Sequence, residues 1–308
     1  MATTDLQQLT PQSVWKHFHS LTRIPRPTGQ MKEVTRYVID FGKGLNLETR
    51  QDKVGNVVIH KPATKGYESA KTVILQSHLD MVPQKNSDVS HDFAKDPIQA
   101  YVDGEWVKAR STTLGADNGI GCAMMMALLE DETLEHPAIE ALFTIDEEVG
   151  MDGANGLEKG FLQGSLMLNL DTEEDGELCI GCAGGRDVNV SFRYKPVKEI
   201  EKGDIAFKVS LRGLKGGHSG VQIHLGRANA NKLMNRFLKD VVKNYEARVA
   251  AIQGGSLRNA IPRESFVVLT IPEQLSDDLL DLVAEYEEMF RNDFAGIEEG
   301  ISFKAERT

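Results

Sequence analysis

Short apolar runs rich in β-branched residues alternate with segments of helical periodicity through the first 180 residues. The runs KTVILQSH, AIEALFTID and SLMLNLD are typical of buried strands. The segment MKEVTRYVIDFGKGL places apolar side chains at Val34, Tyr37, Val38 and Phe41, which is the spacing of an amphipathic helix. Alternating strands and helices form an α/β domain with a largely parallel central sheet. We predict such a domain, with a mainly parallel sheet, for residues 1–186.

The pattern changes near residue 187. From Ile205 the chain reads strand, helix, strand, strand, helix, strand, with helices expected at about 226–244 and 275–292. This order predicts a ferredoxin-like α+β unit, in which two helices cover one face of a sheet. Just before it, the segment DVNVSFRYKPV alternates apolar and polar residues and is expected to form a half-exposed strand. The second predicted domain is residues 187–308.

The composition argues against several classes of function. The formal net charge is −11 and no local basic patch is present, which argues against nucleic-acid binding. No stretch approaches the roughly 18 apolar residues of a membrane span, and the N-terminal residues lack the pattern of a signal peptide. Three cysteines, an odd number, argue against a disulfide scaffold and favour the reducing cytoplasm. For the isolated Cys179-x-x-Cys182 pair we favour a structural interpretation over zinc or redox chemistry.

Acidic residues and one histidine follow the apolar strands of the first domain. They are His78 and Asp80 after TVILQS, Asp117 before a helix, Glu147 and Glu148 after ALFTID, and Asp171 after LMLNL. Because the carboxyl ends of neighbouring parallel strands open onto one crevice, we expect these side chains to lie together. One imidazole with several carboxylates suits a divalent metal, and zinc fits best. For any one of these residues alone, an ordinary cap or turn is the alternative.

The spacing within two motifs indicates separate roles. His78 and Asp80 are two residues apart, so on an extended segment they point to the same side. Asp80 can then accept the ring N–H of His78 and leave the other nitrogen for a metal. Glu147 and Glu148 are adjacent and point to opposite sides. One can bind metal while the other acts as a general base, and the cation offsets their mutual repulsion.

The ordered motifs SHLDMV, LGADNGIG, FTIDEEVGMDG, LNLDTE and GGHSG resemble those of the co-catalytic di-zinc metallopeptidases. This family includes carboxypeptidase G, aminoacylase, tripeptidase and carnosinase, and the resemblance covers essentially the whole chain. It implies a catalytic domain followed by a lid and dimerisation domain, two zinc ions per subunit (with cobalt or manganese as substitutes), and a cytoplasmic homodimer. It also implies hydrolysis of small peptides, namely Xaa-His and other dipeptides, since the aspartate at position 171 resembles the dipeptidase and aminopeptidase branch.

The resemblance also implies roles for single residues. The implied metal ligands are His78 and Asp171 for one zinc ion, Glu148 for the second, and Asp117 as the bridge. Asp80 would orient His78, and Glu147 would take a proton from water and pass it to the leaving amine. His218 in GGHSG would donate to the oxyanion in a partner subunit's site, and Asn259 in LRNAIP would lie near the substrate carboxylate.

The family's late histidine ligand has no counterpart in this chain. Members of the family resume the catalytic domain after the lid and supply that histidine to the second zinc, whereas none of the eight histidines here lies at such a position. We therefore expect that a C-terminal part is lacking and that residues 1–308 alone have doubtful activity. Two alternatives stay open. One is an N-acyl amino acid deacylase or carboxypeptidase on the same scaffold, and the other is a catalytically incomplete binding or dimerisation fragment.

Overall fold

The chain divides between Gly184 and Gly185 into two units, each with a hydrophobic core of its own. The structure, a computed structural model, describes residues 5–174, 176–181, 184–197 and 199–308. Across these residues, no helix is both long enough and apolar enough to cross a bilayer. Cys182 of the predicted cysteine pair lies outside the described residues, and Cys179 is exposed.

The first unit combines helices with a five-stranded sheet. Its α-helices are α1 (Gln12–Thr22), α2 (Lys32–Gly44), α3 (Ala116–Glu130) and α4 (Asp152–Asn155). Its strands are β1 (Glu48–Gln51), β2 (Val57–Lys61), β3 (Val73–His78), β4 (Ala100–Asp103), β5 (Trp106–Ala109), β6 (Ile139–Thr144) and β7 (Leu166–Asn169). The sheet has the order β1-β2-β6-β3-β7, and β4 and β5 form a separate hairpin.

The sheet is mixed, and its parallel part is the part that carries the strand-end residues. β3 runs parallel to both β6 and β7, and His78 at its end lies opposite Thr144 of β6. β2 runs antiparallel to β1 and to β6. The predicted α/β class is confirmed, but parallel pairing is confined to β6-β3-β7. The five residues between β1 and β2 are too few for the crossover that parallel neighbours need.

The core of the first unit lies between the sheet and the helices. Phe18 of α1, Val38 of α2 and Met126 of α3 are buried with Phe143 of β6. All six residues of β6 are buried, as expected for the strand at the centre of the sheet. The amphipathic spacing of α2 therefore does place its apolar face against the sheet.

β7 is an edge strand and is not buried. Leu166, Met167 and Leu168 are 49%, 48% and 49% exposed. Among the described residues, β3 is the one strand that pairs with β7. The prediction of a buried strand at SLMLNLD is therefore wrong for this structure, because an apolar run is buried only when elements cover both of its faces.

The second unit is an α+β sandwich of the predicted kind. Its helices are α5 (Ala230–Asn244) and α6 (Ser276–Asp293). Its strands are β8 (Asp204–Arg212), β9 (Gly217–His218), β10 (Arg248–Gly254), β11 (Ala260–Ile261), β12 (Ser265–Pro272) and β13 (Ser302–Arg307). Four of them form an antiparallel sheet in the order β10-β12-β8-β13, and β9 and β11 form a short ribbon. This is the ferredoxin-like order.

Two details of the second unit differ from the sequence-based expectation. Helix α5 begins at Ala230 and not near 226, because the side chain of Asn229 accepts hydrogen bonds from the N–H groups of Asn231 and Lys232 and caps the helix there. Residues 187–197 form no strand, so that prediction is wrong. A strand needs a neighbour for its backbone hydrogen bonds, and no described strand pairs with this segment.

Candidate metal centre

The last residue of β3, His78, lies at the centre of an acidic cluster. The ring is 1% exposed, and its Nε2 atom is 2.9 Å from Oδ1 of Asp117 and 3.6 Å from Oδ1 of Asp171. One donor atom each from His78, Asp117 and Glu148 lie within 4.8 Å of one another. The fold therefore brings the four residues predicted as metal ligands into one place.

The parallel register explains this convergence. β3 and β6 end side by side, with His78 opposite Thr144, and Glu148 follows four residues after Thr144. Asp171 comes two residues after the end of β7, on the other side of β3. Asp117 lies at the start of α3, where its ψ of 112° is not helical. Strand ends and a helix start thus meet at one edge of the sheet.

Asp80 connects His78 to the turn that carries Glu147 and Glu148. The Nδ1 atom of His78 is 3.1 Å from the carbonyl oxygen of Asp80 and 3.3 Å from its Oδ1 atom. The same carboxylate accepts the main-chain N–H groups of Glu147 at 3.0 Å and Glu148 at 3.2 Å, and the hydroxyl of Thr28 at 2.9 Å. Because Asp80 occupies Nδ1, Nε2 is the nitrogen that faces the cluster.

The third carboxylate of the Asp146-Glu147-Glu148 run points elsewhere. Asp146 has a φ of 49°, in the left-handed region, and its Oδ1 accepts the N–H of Gly29 at 2.7 Å. The turn after β6 therefore separates the three acidic residues. Asp146 anchors the loop, while Glu147 and Glu148 are held by their main chain against Asp80.

Burial and the crowding of charged groups change the acidity of the cluster. Burial, followed by the charge of Asp117, raises the pKa of Glu148 to about 8. Burial also raises the pKa of Asp171 to about 6, against the opposing effect of His78. Burial lowers the pKa of His78, but hydrogen bonds to Asp117 and Asp80 outweigh it and raise this pKa to about 10. Burial would raise the pKa of Asp80, yet the hydrogen bond from His78 keeps it below its usual value.

A divalent cation fits this donor set. One imidazole nitrogen and the carboxylate oxygens of Asp117, Glu148 and Asp171 face the same space, and zinc takes such nitrogen and oxygen ligands. Burial is the main cause of the raised pKa of Glu148, and repulsion from the Asp117 carboxylate adds to it. A cation at this place would remove that repulsion.

His218 and Asn259 belong to the second unit, where His218 ends β9 and Asn259 directly precedes β11. His218 is paired with Ala260, and the N–H of Ser219 donates to the carbonyl of Asn259 at 2.8 Å. The Nδ1 atom of His218 accepts the N–H groups of Gly220 at 3.1 Å and Val221 at 3.2 Å. With Nδ1 accepting twice, the neutral ring carries its proton on Nε2 and presents it as a donor.

Neither His136 nor His224 belongs to the cluster around His78 among the described residues. His136 precedes β6, so it lies at the opposite end of that strand from Thr144, the residue that pairs with His78. The Nδ1 atom of His136 lies 2.7 Å from the carbonyl oxygen of Pro137. His224 lies in the second unit and is exposed.

Sequence reasoning missed the residues that support the cluster from outside. Thr28 binds the Asp80 carboxylate, and Arg26 binds main-chain carbonyls next to it. Asn56 holds the turn after β6, with its Oδ1 accepting the N–H of Ile145 at 3.2 Å and its Nδ2 donating to the carbonyl of Gly153 at 2.8 Å. All three lie in loops, where no periodicity marks them. The one available signal was an arginine between two prolines in the segment IPRPTG.

Two protein families match parts of the chain. Residues 56–184 match Peptidase family M28, and residues 209–298 match the Peptidase dimerisation domain. The first match contains the four candidate metal ligands around His78, and the second contains His218 and Asn259.

Two relatives match nearly the whole chain. The cytosol non-specific dipeptidase of Escherichia coli strain K12 is 47% identical over 299 residues, which cover 97% of this chain and 61% of the relative. The crystal structure of aminoacylhistidine dipeptidase from Vibrio alginolyticus is 44% identical with a TM-score of 0.58, over 99% of this chain and 62% of that one. The chain therefore spans about three fifths of the length of these relatives. Along almost all of its own length, the chain is therefore similar in sequence to these two dipeptidases.

Proposed function

We propose that the protein hydrolyses dipeptides, Xaa-His and others, in a metal-dependent reaction at the centre around His78. The observation that carries this proposal is the convergence of donor atoms from His78, Asp117 and Glu148 to within 4.8 Å. The names of the two relatives support dipeptides as the substrate class. In this proposal residues 1–186 form the metal-binding catalytic domain, and residues 187–308 form the lid and dimerisation domain.

The proposed metal is zinc, two ions per subunit, with cobalt or manganese as substitutes. His78 and Asp171 would hold one ion and Glu148 the other, with Asp117 shared between them. This assignment is supported by the short distances from His78 Nε2 to Asp117 and Asp171. A bound divalent ion supplies Lewis-acid chemistry, which acidifies water and polarises the scissile carbonyl.

Asp80 would orient the His78 ring, and Glu147 would transfer a proton from water. Asp80 orients the His78 ring through Nδ1, so that Nε2 faces the centre. Glu147 serves as general base, taking the proton of the attacking water and giving it to the leaving amine. The main-chain N–H of Glu147 is bonded to Asp80, which fixes the base relative to His78.

His218 and Asn259 contribute from the second unit. The Nε2–H of His218 is a fixed donor, and it would bind the oxyanion that forms on the carbonyl, a contribution of about 3 kcal/mol in comparable sites. Asn259 would bind the substrate carboxylate. We infer that His218 serves the site of a partner subunit in a homodimer, which the match to the Peptidase dimerisation domain supports.

We infer a cytoplasmic location. The relative from Escherichia coli is named as a cytosol enzyme, and the chain has three cysteines, an odd number that suits a reducing compartment.

The experiment is a metal-reconstitution assay on the full-length protein. The protein is stripped with a chelator, reloaded with zinc, cobalt or manganese, and assayed on Xaa-His dipeptides, other dipeptides, N-acyl amino acids and longer peptides. Hydrolysis of dipeptides that requires metal is the expected result. Release of acyl groups from N-acyl amino acids, or of C-terminal residues from longer peptides, would point to the deacylase or carboxypeptidase alternative. If the protein neither bound metal nor hydrolysed any of these substrates, the result would favour the alternative of a binding or dimerisation protein.

A further inference from the structure

A fully buried arginine joins two loops beside the metal centre. Arg26 is 2% exposed. Its Nη1 atom donates to the carbonyl of Leu79 at 2.8 Å and to that of Asp80 at 3.2 Å. Its Nη2 atom donates to the carbonyl of Gly115 at 2.5 Å. One guanidinium thus links the end of β3 to the start of α3.

Each of these two loops carries a metal-ligand candidate. His78 directly precedes the first pair of carbonyls, and Asp117 follows Gly115 by two residues. The two ligands meet at 2.9 Å, between Nε2 of His78 and Oδ1 of Asp117. A shift of either loop would therefore change the separation of the two ligands.

The space around the guanidinium is shaped for it. A Cβ atom at Gly115 would lie 2.7 Å from Nη2 of Arg26, and one at Gly119 would lie 2.5 Å from the same atom. These glycines belong to the motif LGADNGIG, so the motif leaves room for the arginine as well as supplying Asp117. The main chain of Arg26 is also fixed, since its carbonyl accepts the N–H of Met81 at 3.2 Å.

The chemistry of this contact favours arginine over other residues. Burying a charge is costly unless it is hydrogen-bonded, and the Nη atoms of this guanidinium donate to main-chain carbonyls of both loops. Lysine offers a single nitrogen on a flexible stem, whereas the planar fork of arginine reaches carbonyls on both sides at fixed angles. A residue needed only to fill space here would be apolar.

We propose that Arg26 is a positioning residue of the metal centre, which fixes the separation of His78 and Asp117 and thereby sets metal affinity and coordination geometry. This inference rests on the proposed metal-dependent function. Arg26 is not itself a metal ligand. Loss of a residue that supports a ligand commonly lowers metal affinity by about 10- to 100-fold.

The test uses cobalt(II) as the probe, because its visible absorption reports coordination geometry independently of activity. Cobalt affinity, by competition with a chelator, and the absorption spectrum are measured for the wild type, Arg26→Lys and Arg50→Lys. Arg50 is the matched control, since its Nη2 also donates to a main-chain carbonyl, that of Phe161 at 2.9 Å, but contacts neither ligand-bearing loop. Thermal unfolding of the metal-free proteins is recorded alongside.

We expect Arg26→Lys to bind cobalt at least about tenfold more weakly with an altered spectrum, and Arg50→Lys to keep the wild-type affinity and spectrum whatever its melting temperature. A folded Arg26→Lys protein with wild-type affinity and spectrum would overturn the proposal, as would an equal loss in Arg50→Lys. A wild type that binds no cobalt would overturn the proposed metal function itself, and this inference with it.

A second measurement covers the case in which Arg26→Lys does not fold. In wild-type protein labelled with 15N-arginine, a guanidinium held by three carbonyls rotates slowly, and its Nη protons give separate signals. We expect such signals for Arg26 and a change in them when zinc, a diamagnetic ion, binds. A single averaged signal, or one that zinc leaves unchanged, would contradict the positioning role.

Discussion

The carboxylate of Asp80 accepts the main-chain N–H of Glu147, with 3.0 Å between Oδ1 and N. Since the same side chain also contacts Nδ1 of His78 at 3.3 Å, one buried carboxylate fixes both the imidazole ligand and the proposed general base. The two residues are 67 positions apart in the chain. The acidic turn after β6 is thus placed by a residue that follows β3.

The first prediction concerns Asp80. Asp80→Asn keeps one oxygen but turns an amide NH2 toward main-chain donors, so we expect a loss of about 1–3 kcal/mol in the free energy of unfolding. Zinc affinity should also fall by about 10- to 100-fold. Asp131→Asn is the control, because Asp131 likewise accepts main-chain N–H groups, those of Thr133 and Leu134, away from the cluster. Urea unfolding and chelator competition measure both quantities, and equal zinc affinity in the two variants would contradict the role of Asp80.

The second prediction separates the two adjacent glutamates. In the full-length protein, Glu147→Gln should keep its metal and lose turnover by about 10²- to 10⁴-fold, because a general base is removed without touching a ligand. Glu148→Gln should lose metal. Metal content by elemental analysis, set beside kcat for a dipeptide, distinguishes the two. Equal loss of zinc in both variants would show that the roles are assigned wrongly.

The third prediction concerns pH. In the metal-free protein at pH 7, His78 with a pKa of about 10 and Glu148 with a pKa of about 8 both hold protons, which a metal must displace. Metal affinity should therefore rise with pH between 6 and 8, by roughly tenfold per pH unit for each proton displaced. Calorimetry in buffers of different ionisation enthalpy should show the released protons. An affinity that stays flat over this range would rule out displacement of these protons.

The fourth prediction tests whether His218 acts across subunits. His218→Ala and Glu147→Gln should each be inactive alone in the full-length protein. Mixed heterodimers should regain part of the activity, because one of the two composite sites then contains both an intact Glu147 and an intact His218. Heterodimers separated by two different affinity tags provide the measurement. No activity in verified heterodimers would exclude the role in trans.

The fifth prediction concerns residues 1–308 by themselves. One imidazole and three carboxylates make one good zinc site at most, so we expect about one tightly held zinc ion per chain and little dipeptide hydrolysis. Elemental analysis after gel filtration checks this. Two tightly held ions with substantial turnover would show that another residue of the chain completes the second site.

The exposed edge strand β7 should affect how residues 1–308 associate. Its apolar residues are about half exposed, so residues 1–308 should associate as concentration rises. Leu168→Lys should reduce this association, measured by light scattering. Trp106→Lys is the control, because Trp106 is 71% exposed and lies on the separate β4–β5 hairpin. Equal effects of the two substitutions would show that association does not depend on β7.

The sequence by itself determined many of the elements and the identity of the clustered residues. Periodicity is a local property, so the helix α2 and the strands β3 and β6 could be read from a few residues each. The clustering of strand-end residues also followed, because parallel neighbours end at the same edge of a sheet. His78, Asp117, Glu148 and Asp171 were therefore within reach of sequence reasoning.

Only the tertiary structure decided what holds those residues in place. Arg26 reaches Gly115 across 89 positions, and Gly29 binds Asp146 across 117, and no local pattern encodes such pairs. Likewise, whether the apolar runs at β7 and at 187–197 are covered depends on which elements pack beside them, and not on their own residues. Composition and spacing specify which groups can take part in a site. The distances that decide metal affinity arise when loops far apart in sequence share hydrogen bonds and burial.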